Sequence, residues 1–555
     1  MDRKTLTGFI LIGAILLLWP SYLELVSPSE KTQEELVVPN QSLVDEYAQP
    51  DKPQANKPKT AIISAPTSSV EVDAGLFVTA IKNSNGGSFA SYNLNDHLKE
   101  GESFLNLIDI NNSNNLTVSF IDQSGTVILL DDNWNLFSGA STKLNKENPS
   151  TTLSYYTFYK GKRIEKHITL NFNSYRMDVT VDLQNIKAES LDGKYTLTWD
   201  GGLPESEGKQ DAMFMEGLVG QAGNIESFRV GSAGFFGSSD TSKIEKETKQ
   251  YIGQSDFVGY RTKYFGMFFV PQKTDVVEIT KYPAVNRAAV DVSVSQDINF
   301  DKNTLYLGPL DYSKVADLNV GLEEKILGWQ WLSSVSWLVY STMMLLYSFI
   351  PNYGLVVVLF AVLIKLITYP LMAKQLRSSK KMQEISPELN NIKLKYKNNP
   401  TLQQQKIAAL FQENKINPLA GCLPLLIQMP VLMSVFMVFR NTIEFRGESF
   451  FLWISDLSSA DTLLFIAGVP LNILPFLMAA SMFYTMKLSS AGQPSGGDPA
   501  QEATQQMMKY MFPGMMFFLF YSFPSGLNLY YLCFNIMQIL QQRIINSEKT
   551  STLKK

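Results

Sequence analysis

The chain has 555 residues, with 48 Lys and Arg against 52 Asp and Glu, a net charge of −4, two cysteines and two histidines. Cys422 and Cys533 both fall in apolar runs, and His97 and His167 are too few for a histidine cluster. These counts exclude a disulfide scaffold and leave no metal or redox motif, so no metal and no cofactor is expected. The mean hydropathy near zero averages a polar half, roughly 30–320, and a strongly apolar half, 325–545.

At the start, Met1-Asp2-Arg3-Lys4 precedes the apolar stretch 6–26, which contains Trp19 and Tyr22 and lacks an A-x-A cleavage site. Residues 1–26 read as an uncleaved signal-anchor span with its N-terminus in the cytoplasm. Residues 27–66, rich in Pro, Lys, Gln and Glu, read as a flexible linker. From 67 to 320 the pattern becomes short alternating runs. Two of them, 168–172 and 175–183, flank the turn residues Asn173-Ser174, and the run 194–199 closes on Asp200-Gly201-Gly202. Short period-2 segments with this punctuation predict an antiparallel β-sandwich, with His97 and His167 as ordinary surface or strand residues.

The period becomes helical from residue 322. Segment 322–350 carries Trp329, Trp331, Trp337, Tyr340 and Tyr347 before Pro351, and is expected as an amphipathic helix at the membrane interface. The other reading, an extra span, would reverse the topology downstream. Apolar runs follow at 353–372, 419–439, 463–486, 507–523 and 527–544, which with the anchor make six spans. Pro424, Pro430, Pro475 and Pro513 are expected to kink them. The loop 374–417 holds nine Lys and Arg against three Glu and is therefore cytoplasmic. Loop 441–461 is acidic on balance, and the tail 546–555 is short and basic. Both termini are thus expected inside and residues 27–321 outside. Within the basic loop, 375–417 reads as a helical hairpin, with Ser386-Pro387 opening the first helix and Asn398-Asn399-Pro400 ending it. It could meet anionic headgroups, ribosomal RNA or a partner protein, or be a solvated face packed on the spans. Segment 489–503 reads as a connector.

Lys365 is the costly residue. It sits deep in the run 353–372, where a charge costs at least about 2.5–3.5 kcal/mol. It either snorkels to the headgroups or faces a hydrated cavity. Asn528, Tyr531, Asn535, Gln538 and Gln542 recur at spacings of three and four, which places them on one face of the last run. Such a stripe is either glue between helices or the wall of a shared polar cavity. Thr368 and Tyr369 continue the lysine's face, Ser481 and Thr485 share a face of the fourth run, and Gln428 lies mid-span in the third. The five later runs contain no acidic residue, which opposes an ion-pair relay and an ion-coupled carrier. Methionines at 429, 433, 437, 478, 482, 486 and across 507–516 supply adaptable apolar surface.

The strings Tyr369-Pro370-Leu371, Asn417-Pro418-Leu419-Ala420-Gly421-Cys422-Leu423-Pro424-Leu425-Leu426-Ile427-Gln428-Met429-Pro430 and Phe523-Pro524-Ser525-Gly526-Leu527-Asn528-Leu529-Tyr530-Tyr531 closely resemble the YidC/Oxa/Albino family of membrane-protein insertases. The resemblance covers 325–545. Ahead of it, an anchor plus β domain fits the Gram-negative form. It implies a five-span insertase core over 351–545, a periplasmic β-supersandwich at 67–320 and a bacterial inner-membrane location. It further implies a hydrophilic groove that carries a positive residue in the second span. That residue is Lys365 here, where better-known members have arginine, and Tyr531 matches the family's functional tyrosine. Groove contacts are then expected at Lys365, Gln428, Tyr531, Asn528, Asn535, Thr368 and Ser481. The implied activity breaks no bond, so no enzyme is expected. The implied partners are nascent membrane proteins, the lipid bilayer, the Sec translocon and the ribosome or targeting factors, without binding of a specific nucleic-acid sequence. A solute carrier or channel, and a membrane-tethered carbohydrate-binding β-sandwich, are the alternatives.

Overall fold

The computed structural model describes residues 65–97, 104–108, 115–207, 211, 214–229, 233–234, 237–238, 246–282, 290–299, 302–328, 330–414, 423–466, 468–490 and 507–547. The anchor expected at 1–26, nearly all of the linker 27–66, the string 417–422, most of the connector 489–503 and the tail from 548 lie outside the described residues.

Between 69 and 309 the strands build three main sheets, of nine, six and five strands. The alternation seen at 168–183 sets the register there. Lys162–Asn171 pairs antiparallel with Arg176–Asp182, so that Ile168 faces Val179 and His167 faces Thr180. Met177, Val179 and Val181 are buried while the residues between them stay half-buried, because successive side chains leave opposite faces of a strand. Lys194–Trp199 is the expected strand, and the buried Trp199 donates its indole N–H to the Gly202 carbonyl at 3.1 Å. Trp134, Tyr92 and Tyr306 fill the same core, each large buried side chain contributing about 1.5–3 kcal/mol. One described pair departs from the antiparallel expectation: Ser69–Asp73 runs parallel to Thr142–Lys143. The intervening 70 or so residues leave ample chain for the crossover that parallel pairing needs.

Charged residues are buried in the nine-stranded sheet at Lys166, Glu216 and Arg261, and Lys166 reaches across to the other two sheets. Lys166 is fully buried, and its Nζ donates to the carbonyls of Asn85 at 2.9 Å, Gly87 at 3.2 Å and Leu116 at 2.5 Å. Asn85 and Gly87 lie in the turn between two strands of the five-stranded sheet, and Leu116 precedes a strand of the six-stranded one. A single ammonium therefore ties all three sheets together, and burial pulls it down to about 7. His167 is a strand residue as expected, its Nδ1 2.9 Å from Ser154 Oγ. His97 is not an ordinary surface residue: it packs edge-on against Phe265, and burial, with the Arg446 charge beside it, holds the imidazole down to about 4.

After Lys302–Pro309 the chain turns helical, and eight of the described helices form the second half: α1 (Ser333–Phe349), α2 (Tyr353–Glu384), α3 (Ser386–Lys395), α4 (Pro400–Glu413), α5 (Leu423–Asn441), α6 (Ile473–Ser490), α7 (Phe512–Phe520) and α8 (Ser525–Ser547). Tyr353–Lys374, mean hydropathy 2.4, is the one described helix long and apolar enough to cross a membrane, and Met429–Asn441 and Ile473–Leu488 are shorter apolar helices. α1 buries Ser336, Val339, Tyr340 and Met343 and exposes Trp337 and Leu338 on its other side. A Cβ on Gly354 would overlap the Phe450 ring, so glycine is what lets the start of α2 abut the loop that follows α5. The helical hairpin breaks where expected, with the Asn399 side chain accepting from Leu402 N–H at 3.1 Å and Pro400 opening α4. Its first helix starts one residue early: Ile385 occupies the capping position, because α2 runs on to Glu384 instead of leaving a free turn for a serine cap.

Two other expectations are corrected. The run 463–486 is not one helix. Thr462–Ile466 and Val469–Asn472 form a β-hairpin turning at Gly468, φ 79°, and the helix starts only at Ile473. Asp461 decides that start, its Oδ2 accepting from the N–H groups of Ile473 at 2.9 Å and Leu474 at 2.6 Å. Of the four prolines expected to kink helices, Pro430 lies inside α5 and Pro513 opens α7 directly after a π-turn at Met507–Met511, while Pro370, not among them, is inside α2. Pro424 and Pro475 fall in first turns, where the missing N–H breaks no helical bond.

The β domain and helical half meet through the loop after α5. Arg446 Nε donates to Glu207 Oε1 at 2.7 Å, and Arg440 lies 4.8 Å over the Phe214 ring. Tyr340 of α1 donates its hydroxyl to Glu444 Oε1 of the same loop at 2.6 Å, while Glu444 Oε2 is buried without a hydrogen-bond partner among the described residues. Burial pushes this carboxyl up to about 7, with the Tyr340 bond working against it and Asp311 adding to it. A folded carboxyl above its free value contributes stability at low pH that is lost as pH rises through about 7. Between about pH 5 and pH 8 the native protein is therefore expected to lose about 2 kcal/mol relative to Glu444→Gln. Thermal unfolding of both proteins at the two pH values checks this, and parallel pH profiles would refute it.

Candidate functional site: a polar cluster shared by three helices

α8 packs between α2 and α6, and its polar residues are divided between them. Toward α2, Lys365 is 5% exposed, its Nζ donating to Gln538 Oε1 and lying 4.3 Å from the centroid of Phe534. The ammonium is enclosed, held by an amide oxygen and an aromatic face. One turn on, Gln541 Nε2 donates to the Tyr369 carbonyl at 3.2 Å. Toward α6, Asn535 Nδ2 donates to Ser481 Oγ at 3.1 Å, and Ser481 in turn donates to the Met478 carbonyl at 2.7 Å.

The expected site residues do not all join this cluster. Lys365, Asn535 and Ser481 do. Thr368 turns its hydroxyl back to the Ile364 carbonyl at 2.8 Å, as threonine commonly does within a helix. Asn528 is fully buried at the other end of α8, where its amide donates to the Phe520 carbonyl at 3.1 Å and so caps α7. Its Oδ1 has no hydrogen-bond partner. Tyr531 packs edge-on against Phe520, ring centroids 5.0 Å apart. The Gln428 side chain lies outside the described residues. Phe534 and Gln541 escaped the sequence reading. Their spacing of four and three about Gln538 puts all three on the side of the stripe nearer α2, a signal visible once α2 is known to be the neighbour.

The cluster offers one enclosed cation, amide and hydroxyl groups, and no acid: none of α2 up to Lys374, α5, α6, α7 or α8 contains Asp or Glu. Among the described residues no group of His, Cys, Asp or Glu could hold a metal. Chemically the arrangement can attract and solvate a passing polar or acidic segment; it provides no nucleophile paired with a base.

Comparison with known proteins places this geometry. A family described as "60Kd inner membrane protein" matches residues 345–552, and one described as "YidC periplasmic domain" matches 69–338. A protein of Chlorobaculum parvum named membrane protein insertase YidC is 32% identical over 582 residues, covering 99% of this chain and 95% of its own length. Its namesake in Chlorobium limicola is 31% identical over 581 residues, covering 100% and 96%. Among solved structures, a galactose mutarotase related enzyme from Lactobacillus acidophilus is similar over 43% of this chain and 97% of its own, at 8% identity and a TM-score of 0.27, too low to carry any argument. With relatives at this identity over nearly the whole length, the chain belongs to the YidC family of inner-membrane proteins.

Proposed function

We propose that this protein inserts nascent proteins into the bacterial inner membrane and assists their folding there. The observation that carries the reading is Lys365, enclosed among acid-free helices and held, among the described residues, by the Gln538 amide and the Phe534 ring. A polar N-terminus or loop of the substrate enters beside α2 and α8, and an acidic one is drawn by the ammonium. Asn535 and Ser481 solvate it from the α6 side. Its apolar segment then moves against the methionine- and aromatic-rich helices into lipid, so the polar segment crosses a shorter stretch of hydrocarbon. No covalent step is required.

In this reading six spans cross the membrane, five of them forming the core over 351–545. Both termini and the basic α3–α4 hairpin are cytoplasmic, residues 27–321 are periplasmic, and 322–350 lies along the interface. By the family resemblance, Gln428 and Tyr531 are taken as further substrate contacts. The Sec translocon and the ribosome or targeting factors are the expected protein partners. A carrier is disfavoured by the missing intramembrane carboxylates, and the two relatives named above at 31–32% identity carry the name of an insertase, not of a carrier or a carbohydrate-binding protein.

The test is insertion of a small phage-coat-like substrate into vesicles holding only the purified protein, read by protease protection. Substrate protection above that of empty vesicles is expected, and deletion of 67–320 is expected to keep most of it. Substrate-dependent solute flux without insertion would replace the reading with a carrier, and total loss on deletion would move the activity to the β domain.

A further inference from the structure

The β-hairpin 462–472 uses none of the chemistry described above, yet it is built with care. At its base Thr462 Oγ1 donates to Asn472 Oδ1 at 2.7 Å, Asn472 Nδ2 donates to the Tyr521 carbonyl at 2.6 Å, and the Tyr521 hydroxyl donates to the Pro470 carbonyl. Trp453 Nε1 and the first N–H groups of α6 converge on Asp461 Oδ2. Beyond this clamp the hairpin is apolar and bare. Leu463, Leu464, Phe465, Ile466 and Val469 are 44–70% exposed, and no charged residue occurs from 462 to 486. An isolated two-stranded hairpin is marginal in water, and a contiguous apolar patch is seldom left to it.

Two observations identify what covers the hairpin. It is continuous with the exposed apolar surface of the bundle, because α6 follows it directly with Phe476 and Leu477 exposed, and Tyr521 bolts it to the end of α7, where Phe518 is exposed. Its backbone sets the depth. Both strands are edges of a two-stranded sheet, so their outward N–H and C=O groups need water and cannot lie in hydrocarbon. Pro470 removes one of those N–H groups. The side is set by the preceding loop, which reaches the β domain through Arg446 and Glu207.

We infer that 462–472 is a lipid-binding wedge lying in the headgroup–acyl boundary of the leaflet that faces the β domain, where it pins the outer ends of α6 and α7. The inference rests on the membrane placement proposed above. To test it, the full chain carrying Phe465→Cys in a Cys422→Ala, Cys533→Ala background is labelled with an environment-sensitive fluorophore. It is then reconstituted in phosphatidylethanolamine–phosphatidylglycerol vesicles. Lys314→Cys in the same background is the water-exposed control, and Val469→Cys repeats the measurement should Phe465→Cys fold poorly. Phosphatidylcholine spin-labelled at the fifth acyl carbon is expected to quench the probe about twofold more than lipid labelled at the twelfth, matching the ~5–10 Å depth of interfacial elements. Aqueous iodide is expected to reach it less than the Lys314 site. Iodide access equal to the control overturns the inference, as does quenching that is equal or stronger at the twelfth carbon. Shielding from both quenchers, with cross-linking to a second copy or to arriving substrate, also overturns it by showing a protein occupant. Substrate insertion measured in the same vesicles reports separately on the insertase reading.

Discussion

Lys365→Ala is expected to lower insertion of substrates with acidic translocated segments by about tenfold or more, and that of uncharged segments much less. A tenfold loss corresponds to ~1.4 kcal/mol, well within the ~4 kcal/mol that two unit charges about 4 Å apart exchange at an effective dielectric near 20. Lys365 has the room to act this way because its neighbours hold it without neutralising it: the Gln538 oxygen and the Phe534 ring carry no formal charge. Lys365→Arg is expected to keep most activity, since Gln538 offers an oxygen that either cation can use, though a guanidinium adds donors in a planar fork. Gln538→Ala leaves the charge but removes its holder, and an intermediate loss is expected. Protease protection of paired acidic and neutral substrates in vesicles measures all three. Equal insertion of both substrates by Lys365→Ala and by the native protein would remove charge attraction from the mechanism.

Lys166→Met is expected to destabilise the β domain by about 3 kcal/mol or more while leaving insertion by the folded protein nearly unchanged. Methionine approximates the volume of the lysine stem, so little cavity opens. What is lost is the donor to Asn85, Gly87 and Leu116. Three buried carbonyls without partners cost ~1–3 kcal/mol each, and this is offset in part because no ammonium is desolvated any longer, a relief of several kcal/mol. The sum favours destabilisation because the ammonium already finds three acceptors in the fold, so its removal relieves less than the three orphaned carbonyls cost. Denaturant titration of both proteins, followed by tryptophan fluorescence, gives the difference. An unchanged midpoint would mean that water or neighbouring groups satisfy the carbonyls once the lysine is gone.

Features governed by spacing along the chain were legible in the residues themselves. The strand pair around Asn173-Ser174, the helix break at Asn399-Pro400 and the anomalous charge at Lys365 each depend on a few neighbouring positions and on the cost of a charge in lipid. The candidate cluster was legible only in outline. A helical stripe at 528–542 shows that polar groups share a face, but not that Gln538 turns to α2 and Asn535 to α6, nor that Asn528 is spent capping α7. Composition also misled at 463–486. Leu, Phe, Ile and Val suit a membrane helix and an interfacial strand equally, and the choice was made by the turn at Gly468 and by Asp461 claiming the first N–H groups of α6.

The sequence by itself thus determined the division into a β half and an apolar helical half, the placement of a lone cation among apolar residues and the absence of acid beside it, because these follow from residue type and local period. Only the tertiary structure decided which groups hold that cation, which carbonyls claim Lys166 and how the hairpin is clamped, because those partners lie between 8 and 173 residues apart in the chain and only packing brings them together.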